Sequence, residues 1–218
     1  MRLFRVLFLP AILLVPSLVL AQGAFVSRGA SGVLLGGEMV PDNGRNSYAA
    51  EAGYSFGGTF DVGLAHRWLE IDADTLGFQL SGRAYEPRLA FHLAKQGTTY
   101  PFSLSALGSY AFSKLDAAQA DVDGRTLRVG GIIHSIVQLA EFVGFRPWGG
   151  ILYAHRRHEY AFTETDERLE IKRGDTEYHL GAQIVFMPTV RSVFFIGPQV
   201  TFARGDRTVG YSAGLVFN

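Results

Sequence analysis

Six histidines, at 66, 92, 134, 155, 158 and 179, are the side chains of this sequence best suited to move protons near neutral pH. A hydrolytic site would need one of them beside a nucleophilic hydroxyl and oriented by a third group. On one β-strand that places Ser or Thr two positions from the histidine, on the same face. None of the six has such a neighbour, and His134 and Ser135 are adjacent, so they face opposite ways. His155-Arg156-Arg157-His158 lacks carboxylates at ligand spacing and reads as the rim of a strand rather than a metal site. The chain has no cysteine, which excludes disulfides, thiolate metal centres and a lipid-modified N-terminal cysteine. No catalytic residue, metal ligand or cofactor is therefore expected. A triad assembled across strands, or an acyl hydrolase or protease at a rim, stays open as the enzyme alternative.

A second group of residues has chemistry of another kind. Glu38, Glu51, Asp61, Arg67, Glu86, Arg88, Arg128, Arg146, Glu177 and His179 each occupy the less apolar phase of an alternating segment. Acids and arginines gathered on an enclosed face should pair, because an isolated buried charge is very costly. Only three lysines, Lys95, Lys114 and Lys172, occur among the cations. Arginine is the better residue for fixed, partly buried pairs. Such a network either plugs an enclosed space or, as a gate, rearranges to make a small passive pore.

The elements that would position these side chains are strands. Tyr48, Ala50, Ala52, Tyr54 and Phe56 alternate with Ala49, Glu51, Gly53 and Ser55. The same period of two recurs at Phe60–Trp68, Arg88–Leu93, Phe102–Phe112, Thr176–Phe186 and Val209–Phe217. Less regular strands are expected over Leu127–Gln138, Val143–His158 and Val193–Ala203. Bulges are expected at Gly82-Arg83 and Pro198, and a bulge or close packing at Gly130-Gly131 and Gly149-Gly150. Short connections (Gly57-Gly58, Lys95–Tyr100, Leu139–Phe142, Met187–Arg191) alternate with more polar ones (Pro41–Asn46, Ile71–Thr75, Ser113–Gly124, Glu159–Gly174, Arg204–Arg207). That order requires a strand before Tyr48, which Gly32–Val40 can supply. The predicted fold is all-β: an antiparallel up-and-down barrel of about ten strands, with eight as the alternative.

Two faces of unequal polarity say where such a barrel would reside. One is Leu, Val, Ile, Phe and Tyr with almost no charge. The other is Gly, Ala and Ser with scattered charges. A soluble barrel would stud its outer face with polar groups. Aromatics also gather near strand ends, as at a membrane's two interfaces. At the N-terminus, Arg2 and Arg5 precede an apolar stretch, Val6–Leu20, and a small-residue exit at Ala21. This has the layout of a secretory signal peptide over residues 1–21, leaving a barrel domain over 22–218. Pro10, Pro16 and the short length argue against a spanning helix. Losing Arg2 and Arg5 from twenty bases leaves a slight acidic excess against twenty acids, so no basic field marks a nucleic-acid binder. Expected partners are outer-membrane lipid and an unidentified surface ligand.

With its targeting segment, alternating strands and ending Val209-Gly210-Tyr211-Ser212-Ala213-Gly214-Leu215-Val216-Phe217, the chain resembles the small outer-membrane β-barrel proteins of Gram-negative bacteria typified by OmpA and OmpX. The resemblance implies that Tyr211, Leu215 and Phe217 form a terminal signal for the barrel assembly machinery. It departs from the pattern by one residue, since Asn218 follows Phe217. It is one of architecture and implies no particular task.

Overall fold

The strand periodicity is realised in a computed structural model that describes residues 25–42, 45–71, 80–117, 120–162, 168–189 and 191–218. The targeting segment and its cleavage point lie outside the described residues. Among the described residues the strands are β1 (Gly32–Asp42), β2 (Arg45–Phe56), β3 (Phe60–Ile71), β4 (Leu80–Ala94), β5 (Ser103–Ala117) and β6 (Ala120–His134). They continue as β7 (Val137–Ala140), β8 (Val143–Phe162), β9 (Arg168–Thr189), β10 (Ser192–Ala203) and β11 (Asp206–Phe217).

Every pairing is antiparallel between chain neighbours, with two exceptions that define the closure. β6 pairs with β8 past the four-residue β7, which adds only to one end of β8. β1 pairs with β11, from Val33↔Phe217 to Met39↔Tyr211. Ten strands thus form a closed barrel without a free edge, β7 being an appendage. Gly32–Val40 does provide the first strand, as the order of the connections demands.

The two ends differ. The proximal end carries the N-terminal segment from Phe25, the C-terminal residue and the β2–β3, β4–β5, β6–β8 and β9–β10 connections. The distal end carries the other five connections. Two of the expected polar loops there are in fact largely strand. Ser113–Gly124 is the tip of β5 and β6, paired out to Ala117↔Ala120. Glu159–Gly174 is the tip of β8 and β9, paired out to Ala161↔Arg168. Their polarity misleads because it is inverted in phase. Leu115, Val122 and Tyr160 point inward and are buried, while Lys114, Asp116, Asp121 and Asp123 point outward. A strand whose outer face meets water carries its charges on that face.

The expected bulges at Gly82-Arg83 and Pro198 do not occur. β3 and β4 stay in one register from Leu80 to Phe91. The break in β4 lies instead between His92 and Ala94 on its β5 side. Pro198 sits opposite Tyr211 and points outward from an unshifted β10–β11 ladder. The glycine pairs also keep register, serving close packing: Gly130-Gly131 lie opposite Leu152-Ile151, and Gly150-Gly149 opposite Ile132-Ile133. Each pair leaves room for bulk on its partner strand, so Ile132 and Leu152 can share the interior.

Between the ends, the outward positions form an apolar belt. From Tyr48 to Phe56, Phe60 to Trp68, Leu127 to Ile133, Tyr178 to Phe186, Phe194 to Phe202 and Val209 to Phe217 they carry no Asp, Glu, Lys or Arg. Aromatic rings border it. Tyr48, Trp68, Tyr85, Phe112, Tyr153, Tyr178, Phe202 and Tyr211 lie towards the distal side, and Phe56, Phe91, Phe142, Phe186, Phe194 and Phe217 towards the proximal side, all of them exposed.

Candidate functional site in the barrel lumen

Inward positions fill the lumen in alternating apolar and polar layers. At the proximal end Val26 enters the barrel and packs with Leu34, Val185, Val193, Phe195 and Val216. Phe25 stacks on Phe195 at 5.7 Å, and the Arg146 guanidinium lies 4.7 Å from the Phe25 ring centre. This short N-terminal segment is held by the β2–β3 turn, where Gly29 N donates to Gly57 O at 2.9 Å and Gly57 N donates to Ser31 Oγ at 3.0 Å. Gly58 has φ of 59°, and a Cβ there would fall within 3 Å of the Val26 and Ser27 carbonyl oxygens and Lys95 Nζ. Glycine at this position therefore answers two demands, a left-handed backbone and a close approach. Lys95 Nζ donates to Val26 O, and burial pushes this ammonium down to about 8.

Above the proximal plug comes a mixed layer. Ala90, Leu107, Ile132, Trp148 and Leu152 form a buried apolar cluster. Trp148 lies over Gly181 of β9, where any Cβ would come within 2.5 Å of the indole. Arg146 donates to Gln183 Oε1 at 2.9 Å, and Gln183 Nε2 donates to Ser212 Oγ at 3.0 Å. Beside them Asp61 meets a histidine rather than an arginine. His92 Nε2 lies 2.9 Å from Asp61 Oδ2, and His92 Nδ1 lies 2.7 Å from Ser105 Oγ.

The next layer is a branched ionic chain. Arg88 binds Glu51 at 2.7 Å and Glu86 at 3.0 Å. Glu86 also meets Arg128 at 3.4 Å, and Arg128 lies 3.5 Å from Glu177. Glu177 is shared with Arg156, which reaches Asp175 at 2.6 Å. His179 Nε2 is 3.5 Å from Glu177, and its Nδ1 is 2.9 Å from Thr201 Oγ1. A separate branch joins Arg67 to Glu38 at 3.1 Å and to Ser47 at 3.2 Å, with Gln199 donating to Glu38. Charges this deeply buried persist because each has opposite charge and hydrogen bonds around it. A distal apolar row of Leu69, Leu115, Val122 and Tyr160, in register through Gly82 of β4, lies above the network.

All ten residues expected as inward charges are found on the lumen side. Eight of them, Glu38, Glu51, Arg67, Glu86, Arg88, Arg128, Glu177 and His179, belong to the ionic layer. Asp61 and Arg146 lie in the mixed layer below. Arg156 and Asp175 are additions to that set, and they complete the chain. Parity alone places Arg156, which shares the phase of Arg146 and Trp148, once the His155–His158 run is taken as strand rather than rim. Tyr211 and Phe217 point outward and are exposed, and Leu215 is half-buried on the same face. The Asp61–His92–Ser105 arrangement leaves no trace in the spacing of any single strand because its members come from β3, β4 and β5.

At the distal rim Arg204, with φ of 54°, and Gly205 form a two-residue turn closing the Ala203↔Asp206 pair. Asp175 accepts Arg204 and lies 3.5 Å from Arg173. The protruding β8–β9 hairpin carries exposed pairs, among them Arg157–Glu170 at 2.8 Å and Lys172–Glu170 at 2.9 Å. These cations hold the exposed Glu170 carboxyl below its ordinary range. No group of metal-ligating side chains occurs among the described residues.

Comparison with known proteins bears on the fold. No family model matches the sequence, and no curated protein matches it. Among solved structures, the chain is similar to the translocator domain of the autotransporter NalP from Neisseria meningitidis, with a TM-score of 0.53, 10% identity and 86% of each chain covered. It also aligns with the β domain of the Bordetella autotransporter BrkA (TM-score 0.49, 10% identity, 86% of this chain and 99% of that one). A third is the attachment invasion locus protein Ail of Yersinia pestis (TM-score 0.40, 14% identity, 86% and 96%). At these identities the likeness is one of architecture, and the architecture shared with the first is a closed antiparallel barrel.

Proposed function

We propose that the protein is an integral β-barrel of a Gram-negative outer membrane, with an occluded lumen and a structural or surface-interaction role. The carrying observation is the uncharged outward belt between two sets of aromatic rings, whose length on most strands is close to the roughly nine to eleven residues that a tilted strand needs to cross. In water an apolar patch of that extent would drive aggregation. The inverted polarity of the β5–β6 and β8–β9 tips supports the distal end as the external one, because those strands turn their charges outward once past the belt. The proximal end, with the Phe25 segment and Phe217, then faces the periplasm.

The filling of the lumen supports occlusion. An apolar plug, a mixed layer, an ionic layer and a distal apolar row leave the barrel wall supported from inside. Exposed loops and hairpins are where binding residues concentrate, so the β8–β9 hairpin is the surface offered to a ligand. Fractionation tests the location: the protein should be found in outer membranes and migrate differently on gels before and after boiling. Recovery as a soluble periplasmic protein would refute it.

A further inference from the structure

The distal border of the apolar belt differs from one side of the barrel to the other. Two positions beyond the rings of Tyr178 and Tyr211, the outward residues are Thr176 and Val209. On β4, β5 and β6 the corresponding residues are Arg83, beyond Tyr85, Lys114, beyond Phe112, and Arg125, beyond Leu127. All three cations are exposed on the outer face. The outward carboxylates of these strands, Asp116, Asp121 and Asp123, stand farther out.

The register gathers the three cations. Arg83 lies directly opposite Lys114, just as Tyr85 lies opposite Phe112 one step below. Lys114 is opposite Asp123, so Arg125 is its diagonal neighbour, and Arg125 in turn faces Arg157 of β8. Opposed residues have Cβ atoms roughly 5 Å apart and diagonal ones roughly 7–8 Å, so three long side chains can meet at one point. Like charges set opposite each other destabilise a sheet. Arg157 is compensated by Glu170 at 2.8 Å. Among the described residues no acid pairs with Arg83, Lys114 or Arg125. Cations held together at the edge of an apolar surface suit an anion that is itself anchored in the apolar layer.

We propose that Arg83, Lys114 and Arg125 bind a phosphate monoester on the headgroup of an external-leaflet lipid, whose acyl chains lie along the apolar surface below. A phosphate monoester offers three oxygens and about −1.5 to −2 of charge at neutral pH. That matches three converging cations better than the single charge of a phosphodiester does. Arginine grips such a group through parallel N–H donors, and lysine acts on it as a point charge. The exposed rings of Tyr85 and Phe112 lie between this level and the hydrocarbon, and Leu89, Leu127 and Val129 continue the apolar surface. The assignment rests on the distal end being the external side of an outer membrane, and it names the lipid class met there.

Native mass spectrometry of the folded full-length chain in detergent tests it. The chain is titrated with diphosphoryl lipid A, with the same lipid stripped of phosphate, and with phosphatidylglycerol. Wild type should hold the diphosphoryl lipid most tightly. Arg83→Gln, Lys114→Gln and Arg125→Gln should each weaken that complex roughly fivefold, and the triple variant on the order of a hundredfold, from the usual worth of one charge at an anionic surface. Binding of the phosphate-free lipid should not change. Heat-modifiable mobility shows which variants are folded, and the single variants suffice if the triple does not fold. Equal affinity of wild type for either comparison lipid would overturn the proposal, as would unchanged binding in the folded variants. Tighter retention of a sulfated polysaccharide than of lipid A, lost in the same variants, would overturn it in favour of a soluble polyanion. None of these results touches the membrane location, which fractionation tests separately.

Discussion

Arg128 on β6 lies 3.5 Å from Glu177 on β9, two strands that β8 separates in the sheet. The contact therefore reaches over Ala154 of β8 on the lumen face rather than running along a ladder. Glu177 also receives Arg156, so one carboxylate ties three strands of the wall together. Replacing it by glutamine would leave two guanidinium groups short of counter-charge in an enclosed space. Breaking a buried pair from one side costs about 3–5 kcal/mol. Denaturant unfolding of Glu177→Gln in lipid vesicles should show a loss of that order. A change below about 1 kcal/mol would mean that water already solvates the network.

Gly58 offers a test of the proximal plug. A methyl group there would meet the Val26 and Ser27 carbonyls, and the backbone would remain in the left-handed region. Gly58→Ala should therefore detach the Phe25–Arg28 segment while leaving the barrel closed. Limited proteolysis should then remove residues before Gly32 from the variant faster than from the wild type, with unchanged heat-modifiable mobility. Equal protection in both would show that the segment is held by other means.

Lys95 predicts a pH effect with a definite sign. Its ammonium is pushed down to about 8 in the folded chain, against an ordinary value near 10.5. Between those values the unfolded chain holds the extra proton, so this residue's contribution raises stability as pH increases from about 8. Below about 8 the penalty for burying the charge is fully present. Lys95→Met should flatten the stability profile across that alkaline window and leave the profile at lower pH parallel to wild type. An unchanged alkaline slope would contradict the assignment.

The terminal strand carries the expectation about assembly. Tyr211, Leu215 and Phe217 share the outer face of β11, the strand that closes the sheet against β1. Phe217→Ala should lower the yield of assembled protein in outer membranes several-fold with little effect on refolding into detergent. Equal losses in both would indicate a packing role alone.

The belt and the lumen are legible in the sequence for the same reason: a period of two sends each residue type to one side. That rule alone places Glu51, Arg88 and Glu177 inside. It misleads where its polarity reverses, as at Lys114–Asp123, because a strand tip whose outer face meets water hides Leu115 and Val122 and shows its charges. Nor do Gly82 and Pro198 locate the bulges, since an outward proline needs no shift where the neighbouring ladder holds its register. The Asp61–His92–Ser105 contacts are out of reach in a different way. Pairing across β3, β4 and β5 depends on register, and register is set by turns such as Gly57–Thr59 and by the whole closed sheet.

The central claim is a membrane-spanning barrel with a filled lumen, and planar-bilayer recording of the purified protein tests it most directly. Incorporated protein should remain electrically silent across varied voltage and pH if, as proposed, the four layers of inward side chains occlude the axis. Discrete, reproducible conductance steps from the wild-type chain would contradict occlusion and make the ionic layer a gate.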